Sequence, residues 1–158
     1  MAKLVDLKPE HYQDLYRVVM ISEPYMSVFS FTQFASAMRT KYEGWVVVDN
    51  DLVIGSVLYS DFSPQLDILL HVTIDPRCHG RWVTRGMLRQ AFDVPFNTLM
   101  LPRVSGYCVV GVSDYTGLML QRLGFKEEGI KRKSTIIGDN IRDVKIFGML
   151  REECRWIT

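Results

Sequence analysis

The sequence predicts an α/β fold, α+β in its strand order: a mixed β-sheet flanked by helices, with a parallel strand-helix-strand crossover at its centre. Three observations carry this class. Leu66 to Ile74 alternates in character, Gly80 to Phe92 repeats apolar residues at helical spacing, and Arg103 to Val110 is β-rich again. Strand, helix and strand at this spacing form a crossover joining parallel strands. Trp45 to Asp49 and Val53 to Tyr59 are β-branched runs flanking the polar turn Asp49-Asn50-Asp51, which predicts an antiparallel hairpin. Gly138-Asp139-Asn140 then turns the chain into Ile141 to Leu150, a long closing strand that pairs with the segment before the turn. With 158 residues, 47% of them hydrophobic, the chain suits one compact domain over 1–158.

In order, Leu4 to Leu7 is a short alternating run and the first expected strand. Pro9 stands where a first helical turn tolerates proline, and Tyr12, Leu15, Tyr16 and Val19 share one helical stripe. Pro24 breaks that helix. Ser30 with Gln33 forms a capping-box pattern ahead of a second stripe of Phe31, Phe34, Ala35 and Met38. Within the central strand, Leu66, Ile68, Leu70, Val72 and Ile74 share one face, and Asp67, Leu69, His71 and Thr73 the other. The crossover helix carries Val83, Met87, Leu88, Ala91 and Phe92 and is expected to stop at Pro95. Ser113 or Asp114 caps a short helix bearing Tyr115, Leu118, Met119 and Arg122, with Gly124 as its terminator.

Composition narrows the function. A formal net charge of +1 lacks the electrostatic footprint of a non-specific nucleic-acid binder, so no nucleic-acid partner is expected. Cys78, Cys108 and Cys154 are odd in number and far apart, which argues against a disulfide framework and against a zinc site; no metal is expected. The start lacks the apolar core of a signal peptide and no apolar run approaches a membrane span. These features predict a cytoplasmic protein with no membrane partner.

The most informative stretch runs from His71 to Leu88, where a strand stops at Pro76, turns through a basic loop and enters a helix. A helix start presents unpaired N–H groups and the positive end of its dipole, a geometry that selects an anion, most often phosphate. Arg77, His79, Arg81 and Arg85 add side-chain charge. Taken alone, the loop is equally a connection with solvated arginines.

Two longer patterns give the loop its meaning. One is Val72-Thr-Ile-Asp-Pro-Arg-Cys-His-Gly-Arg-Trp-Val-Thr-Arg-Gly-Met-Leu88; the other is Ser113-Asp-Tyr-Thr116 leading to Leu123-Gly124-Phe125 and, later, Asp143 and Phe147-Gly148-Met149-Leu150. With the element order, they resemble the GNAT superfamily of acetyl-CoA-dependent N-acetyltransferases along nearly the whole chain. The C-terminal half is most similar to the subfamily that acetylates the α-amine of ribosomal proteins, and the loop to phage-encoded members. The resemblance implies a six- to seven-stranded mixed sheet with about four helices, and acetyl-CoA as co-substrate. It also implies an amine acceptor on a protein, peptide or small molecule, a homodimer as one possible assembly, and the host cytoplasm if the gene is a phage's. The alternative is a catalytically degenerate GNAT-fold module acting through protein contacts. The loop departs from the family pattern: His79 stands in place of Arg or Gln, Trp82 in place of the first glycine, and Thr84 in place of the second small residue. Trp82 must therefore point away, stack on the cofactor or occlude its place. Ser113 replaces a pantetheine-holding asparagine, and Leu120 stands where many members have an acidic tyrosine.

The resemblance assigns the cofactor to Val72, Thr73, Ile74, His79, Gly80, Arg81, Trp82, Val83, Thr84, Arg85, Ser113 and Thr116. Acetyl transfer needs a neutral amine, a polarised thioester carbonyl and an acceptor for the thiolate. Backbone N–H groups around Val72 to Ile74 would polarise the carbonyl. His71 and Asp67 are alternative general bases; four residues apart on a strand, roughly 13 Å, they cannot form a dyad. An α-amine, with an ordinary pKa near ~7.7 to 8, needs less help than a lysine near ~10.4. Tyr115 is a candidate to protonate the thiolate, and Tyr25, Met26 and Phe29 are candidates to line the acceptor pocket.

Overall fold

The computed structural model describes the whole chain, Met1 to Thr158, and every side chain except that of Ser27. Seven strands, β1 (Lys3–Asp6), β2 (Glu43–Asp49), β3 (Leu52–Ser63), β4 (Asp67–Ile74), β5 (Arg103–Val109), β6 (Lys126–Ile137) and β7 (Asn140–Leu150), form a mixed sheet. Their order is β1-β2-β3-β4-β5-β7-β6. Four α-helices accompany it: α1 (Tyr12–Ser22), α2 (Phe31–Thr40), α3 (Arg85–Asp93) and α4 (Asp114–Leu123). The predicted fold class and crossover are thus observed, with β4 and β5 parallel through the pair Leu69 and Ser105. By packing, the chain divides into two compact units, residues 1–61 with 70–91 and residues 62–69 with 92–158.

In the first unit, β1 and β2 are antiparallel with Val5 opposite Val46, and the β2–β3 hairpin sets Trp45 opposite Val57. The α1 and α2 stripes bury Leu15, Val19, Phe34 and Met38 against Val46 and Leu58. The capping box ahead of α2 forms: Gln33 N–H donates to Ser30 Oγ at 3.2 Å and Ser30 N–H to Gln33 Oε1 at 2.8 Å. Tyr59 donates its hydroxyl proton to the Ala91 carbonyl at 2.8 Å, tying β3 to α3. Gly55 has no Cβ because one there would collide with the Thr73 carbonyl.

In the second unit, β5 and β7 are antiparallel, with Val104 opposite Met149, and β7 and β6 form the closing hairpin. Helix α4 lies close on β5 because the contact points are glycines: a Cβ on Gly106 would meet Leu120, and one on Gly117 would meet the Cys108 sulfur. Gly124 ends α4 at φ +110°, a left-handed conformation that costs glycine little.

Two helix boundaries differ from expectation. The crossover helix begins at Arg85, not Gly80, because Gly80 turns at φ +81° and Thr84 caps the helix. Thr84 Oγ1 accepts from Met87 N–H at 3.2 Å, and its carbonyl accepts from Leu88 N–H at 3.1 Å. Nor does Pro95 stop the chain's coiling. A π-helical turn over Val94–Thr98 follows α3, since proline early in a new turn lacks only a donor that the turn leaves unpaired. Phe92 and Phe96 then stack with centroids 6.2 Å apart.

Candidate active site

His71 lies on β4 with its ring partly buried, and Tyr42 meets it edge-on with centroids 5.2 Å apart. Ser60, near the end of β3, places Oγ 2.7 Å from His71 Nε2 and 2.7 Å from Asp61 Oδ2. A hydroxyl has one proton. An ionised Asp61 cannot donate, so Ser60 donates to it and must accept from His71 Nε2–H. The chain of bonds therefore assigns the tautomer with hydrogen on Nε2 and a lone pair on Nδ1. Burial lowers the pKa of His71, outweighing the upward pull of Asp61, so the imidazole is neutral near pH 7. Asp61 reaches Ser60 from a left-handed backbone at φ +52°, which aspartate tolerates better than most residues.

Thr73 lies two residues along the same face of β4, and its hydroxyl donates to Glu23 Oε1 at 3.5 Å. Glu23 caps the C-terminal end of α1; burial raises its pKa, and the Thr73 bond offsets only part of that. The neighbouring phenols respond: Tyr25 is pushed up to about 12 by burial and by Glu23, and Tyr42 is raised by burial, Asp61 and Glu23. Tyr25 and Met26 occupy a 3₁₀ turn, Pro24–Val28, where Met26 packs on the core of the first unit. Phe29 is exposed, and its carbonyl accepts from the Tyr16 hydroxyl at 2.8 Å.

The loop after β4 sorts its cations. Buried Asp75 accepts from the Arg77 guanidinium through both carboxylate oxygens, which holds its carboxyl below the usual range and commits Arg77. Arg81 and Arg85 are exposed and, among the described residues, make no ion pair. His79 is partly buried and Val83 is exposed. Trp82 is 6% exposed, its indole turned into the protein. Thr84, expected as a small residue at the pyrophosphate, has its hydroxyl on the helix cap instead. The N–H groups of Arg85 and Gly86, in the first turn of α3, have no intrahelical partner.

The second unit holds the remaining candidates. Asp67 Oδ2 accepts from Ser105 Oγ at 2.5 Å and Arg103 Nε at 3.2 Å, and its Oδ1 accepts from Ile68 N–H. Arg103 also grips Glu128 through two bonds, at 2.8 and 3.1 Å. Asp67 is thereby an ion-pair partner, sharing none of His71's bonding partners. Ser113 Oγ accepts from Val109 N–H at 2.7 Å and so caps a turn rather than α4. Tyr115 and Thr116 are partly buried in the first turn of α4. Cys108 is buried, with its thiol pKa raised by burial.

Sequence reasoning missed Ser60, Asp61, Tyr42 and Glu23. The available signal was the polar pair Ser60-Asp61 directly after the β-branched run expected to end at Tyr59.

No family model matches the sequence, and no curated protein matches it. Solved structures do. Mutant forms of the spermidine/spermine N-acetyltransferase SpeG from Vibrio cholerae are 20% identical, with 96% of each chain covered and a TM-score of 0.74. A GNAT-family acetyltransferase from Bacillus anthracis is 13% identical over 96% of each chain, with a TM-score of 0.76. A structure described as a probable acetyltransferase is 16% identical, covering 96% of this chain and 94% of its own, with a TM-score of 0.77. The chain has the GNAT acetyltransferase fold. The parallel pair at the centre of this GNAT fold joins Leu69 to Ser105, so Val72 to Ile74 lie beyond it along β4. Among the described residues, no group of three His, Cys, Asp or Glu could hold a metal ion, and no helix is long and apolar enough to cross a membrane.

Proposed function

We propose that this GNAT-fold chain is an N-acetyltransferase that moves acetyl from acetyl-CoA to a primary amine by direct attack. The observation that carries it is the Asp61–Ser60–His71 hydrogen-bonded chain, which leaves a neutral imidazole with Nδ1 free to accept a proton. In the proposed step, Nδ1 takes a proton from the acceptor ammonium. The freed amine forms the new N–C bond at the thioester carbonyl, the C–S bond breaks with its electron pair leaving on the CoA sulfur, the nitrogen sheds its second proton to solvent as the amide forms, and the thiolate takes a proton. Tyr115 is proposed as the source of that proton. Backbone N–H groups of Val72 to Ile74 stabilise the carbonyl oxygen as it becomes negative. Arg81, Arg85 and the amides at the start of α3 take the pyrophosphate, supported by the absence of an ion pair to either arginine among the described residues.

The spermidine acetyltransferases among the structural neighbours favour a small amine as acceptor. The narrower resemblance, to ribosomal-protein α-amine acetyltransferases and to phage-encoded members, gains no support from these neighbours. A protein or peptide acceptor, a homodimer and a cytoplasmic location stay with the proposal as its outer parts. The test is thiol release from acetyl-CoA over a panel of primary amines, with calorimetry of acetyl-CoA binding. Turnover that falls roughly 10²- to 10⁴-fold in His71→Gln with acetyl-CoA affinity retained supports the reading. Acetyl-CoA binding without turnover of any amine would favour the degenerate binding module, for which buried Leu120 in place of an acidic tyrosine is the motivating observation.

A further inference from the structure

We infer that Glu23 anchors a second positive charge on the acceptor, so that the substrate class is an aliphatic diamine or longer oligoamine rather than a monoamine. This rests on the acetyl-transfer reading above. A carboxylate withdrawn from water is normally paired. Asp75 and Asp67 obey that rule, Asp75 paired with Arg77 and Asp67 with Arg103. Glu23 does not: it is partly buried, its one hydrogen bond is the 3.5 Å contact from Thr73, and among the described residues it makes no ion pair. Burial raises its pKa, as expected of a carboxylate still lacking its cation.

Its surroundings suit an ammonium group. Tyr25 and Tyr42 both lie within the field of Glu23, and phenol faces attract cations. Tyr42 links the two groups, since it meets the His71 ring edge-on and feels both Glu23 and Asp61. The spacing then sets the substrate's length. Glu23 is bonded at Thr73, and the base is His71, two residues away on the same face of β4, a separation of roughly 7 Å. An extended chain covers about 1.2 Å per bond, so a reacting amine and an anchored ammonium at that separation are joined by about four to five methylenes.

The experiment compares 1,4-diaminobutane with butylamine as acceptors, using thiol release for turnover and calorimetry for binding, on wild type, Glu23→Gln and Glu23→Asp. A charged hydrogen bond of ordinary strength predicts a preference of roughly 10- to 100-fold in kcat/KM for the diamine. Glu23→Gln should remove that preference by raising the diamine KM far more than the butylamine KM; Glu23→Asp should keep part of it. Circular dichroism confirms that each variant is folded. Equal use of both amines by wild type, or equal loss on both in Glu23→Gln, overturns the inference while leaving acetyl transfer intact. If neither amine turns over, acetyl transfer to these amines fails separately. Diamine binding that Glu23→Gln abolishes then still supports the anchor, and binding that is unchanged or absent overturns it.

Discussion

The protons around Ser60 can be placed by counting, and the count has kinetic consequences. Because Asp61 accepts the Ser60 proton, Nε2 of His71 must donate, and the base is Nδ1. Burial depresses the His71 pKa from its ordinary ~6.5, so kcat with both substrates saturating should be flat through neutrality and fall only as pH drops below that value. Asp61→Asn removes the charge that pulls this pKa upward. Its acid limb should therefore move to still lower pH while kcat falls, because the imidazole loses its fixed tautomer. A limb that moves to higher pH, measured by stopped or continuous thiol release, would contradict the assignment. Stability follows the same sign: the unfolded histidine protonates first, so His71 contributes stability above ~6.5 that is lost as pH falls toward its folded pKa. His71 was legible in the sequence as a histidine on the mixed face of a strand. Its partners were not, because Asp61 reaches Ser60 only from a positive φ that no residue pattern announces.

The basic loop and α3 form the element on which cofactor affinity depends. Arg77 is neutralised by Asp75, leaving Arg81 and Arg85 to meet phosphate. The double variant Arg81→Glu, Arg85→Glu should weaken acetyl-CoA strongly in calorimetry and leave a phosphate-free pantetheine thioester unaffected. Equal weakening of both would show that the arginines do not address phosphate. Trp82 carries a different load, since an indole at 6% exposure is structural. Trp82→Ala should cost about 3 to 5 kcal/mol in urea unfolding, as large aromatic truncations in cores do. The sequence placed the strand, the basic loop and the helix in the right order but started the helix early. Its apolar stripe begins at Val83, two residues before the coil, and neither the turn at Gly80 nor the cap at Thr84 changes that periodicity. Pro95 misled for a related reason, as proline breaks an established helix but not the first turn of a new one.

For the molecule as a whole, the order of strands and helices was readable because each apolar stripe has one period and each turn its own chemistry. How the chain is apportioned between two units was not readable. Each unit is assembled from segments far apart in sequence: residues 62–69 belong with 92–158, and 70–91 with 1–61. Strand β4 thus contributes Asp67 to Leu69 to one unit and Leu70 to Ile74 to the other. Unfolding either unit alone would have to stop within a single extended strand, leaving half of it without the pairing that holds an extended backbone. The chain should therefore unfold in one transition, with calorimetric and van't Hoff enthalpies equal. Tryptophans report on each unit separately, since Trp45 and Trp82 lie in the first and Trp156, which donates to the Leu123 carbonyl at 2.8 Å, lies in the second. Leu15→Ala in the first core and Phe147→Ala in the second, both positions essentially inaccessible, should each cost about 2 to 5 kcal/mol. In single-tryptophan variants, each truncation should lower the midpoint seen by both sets of reporters equally. A truncation that moves only the reporter of its own unit would show two independently folding bodies, and the single domain expected from chain length would not hold.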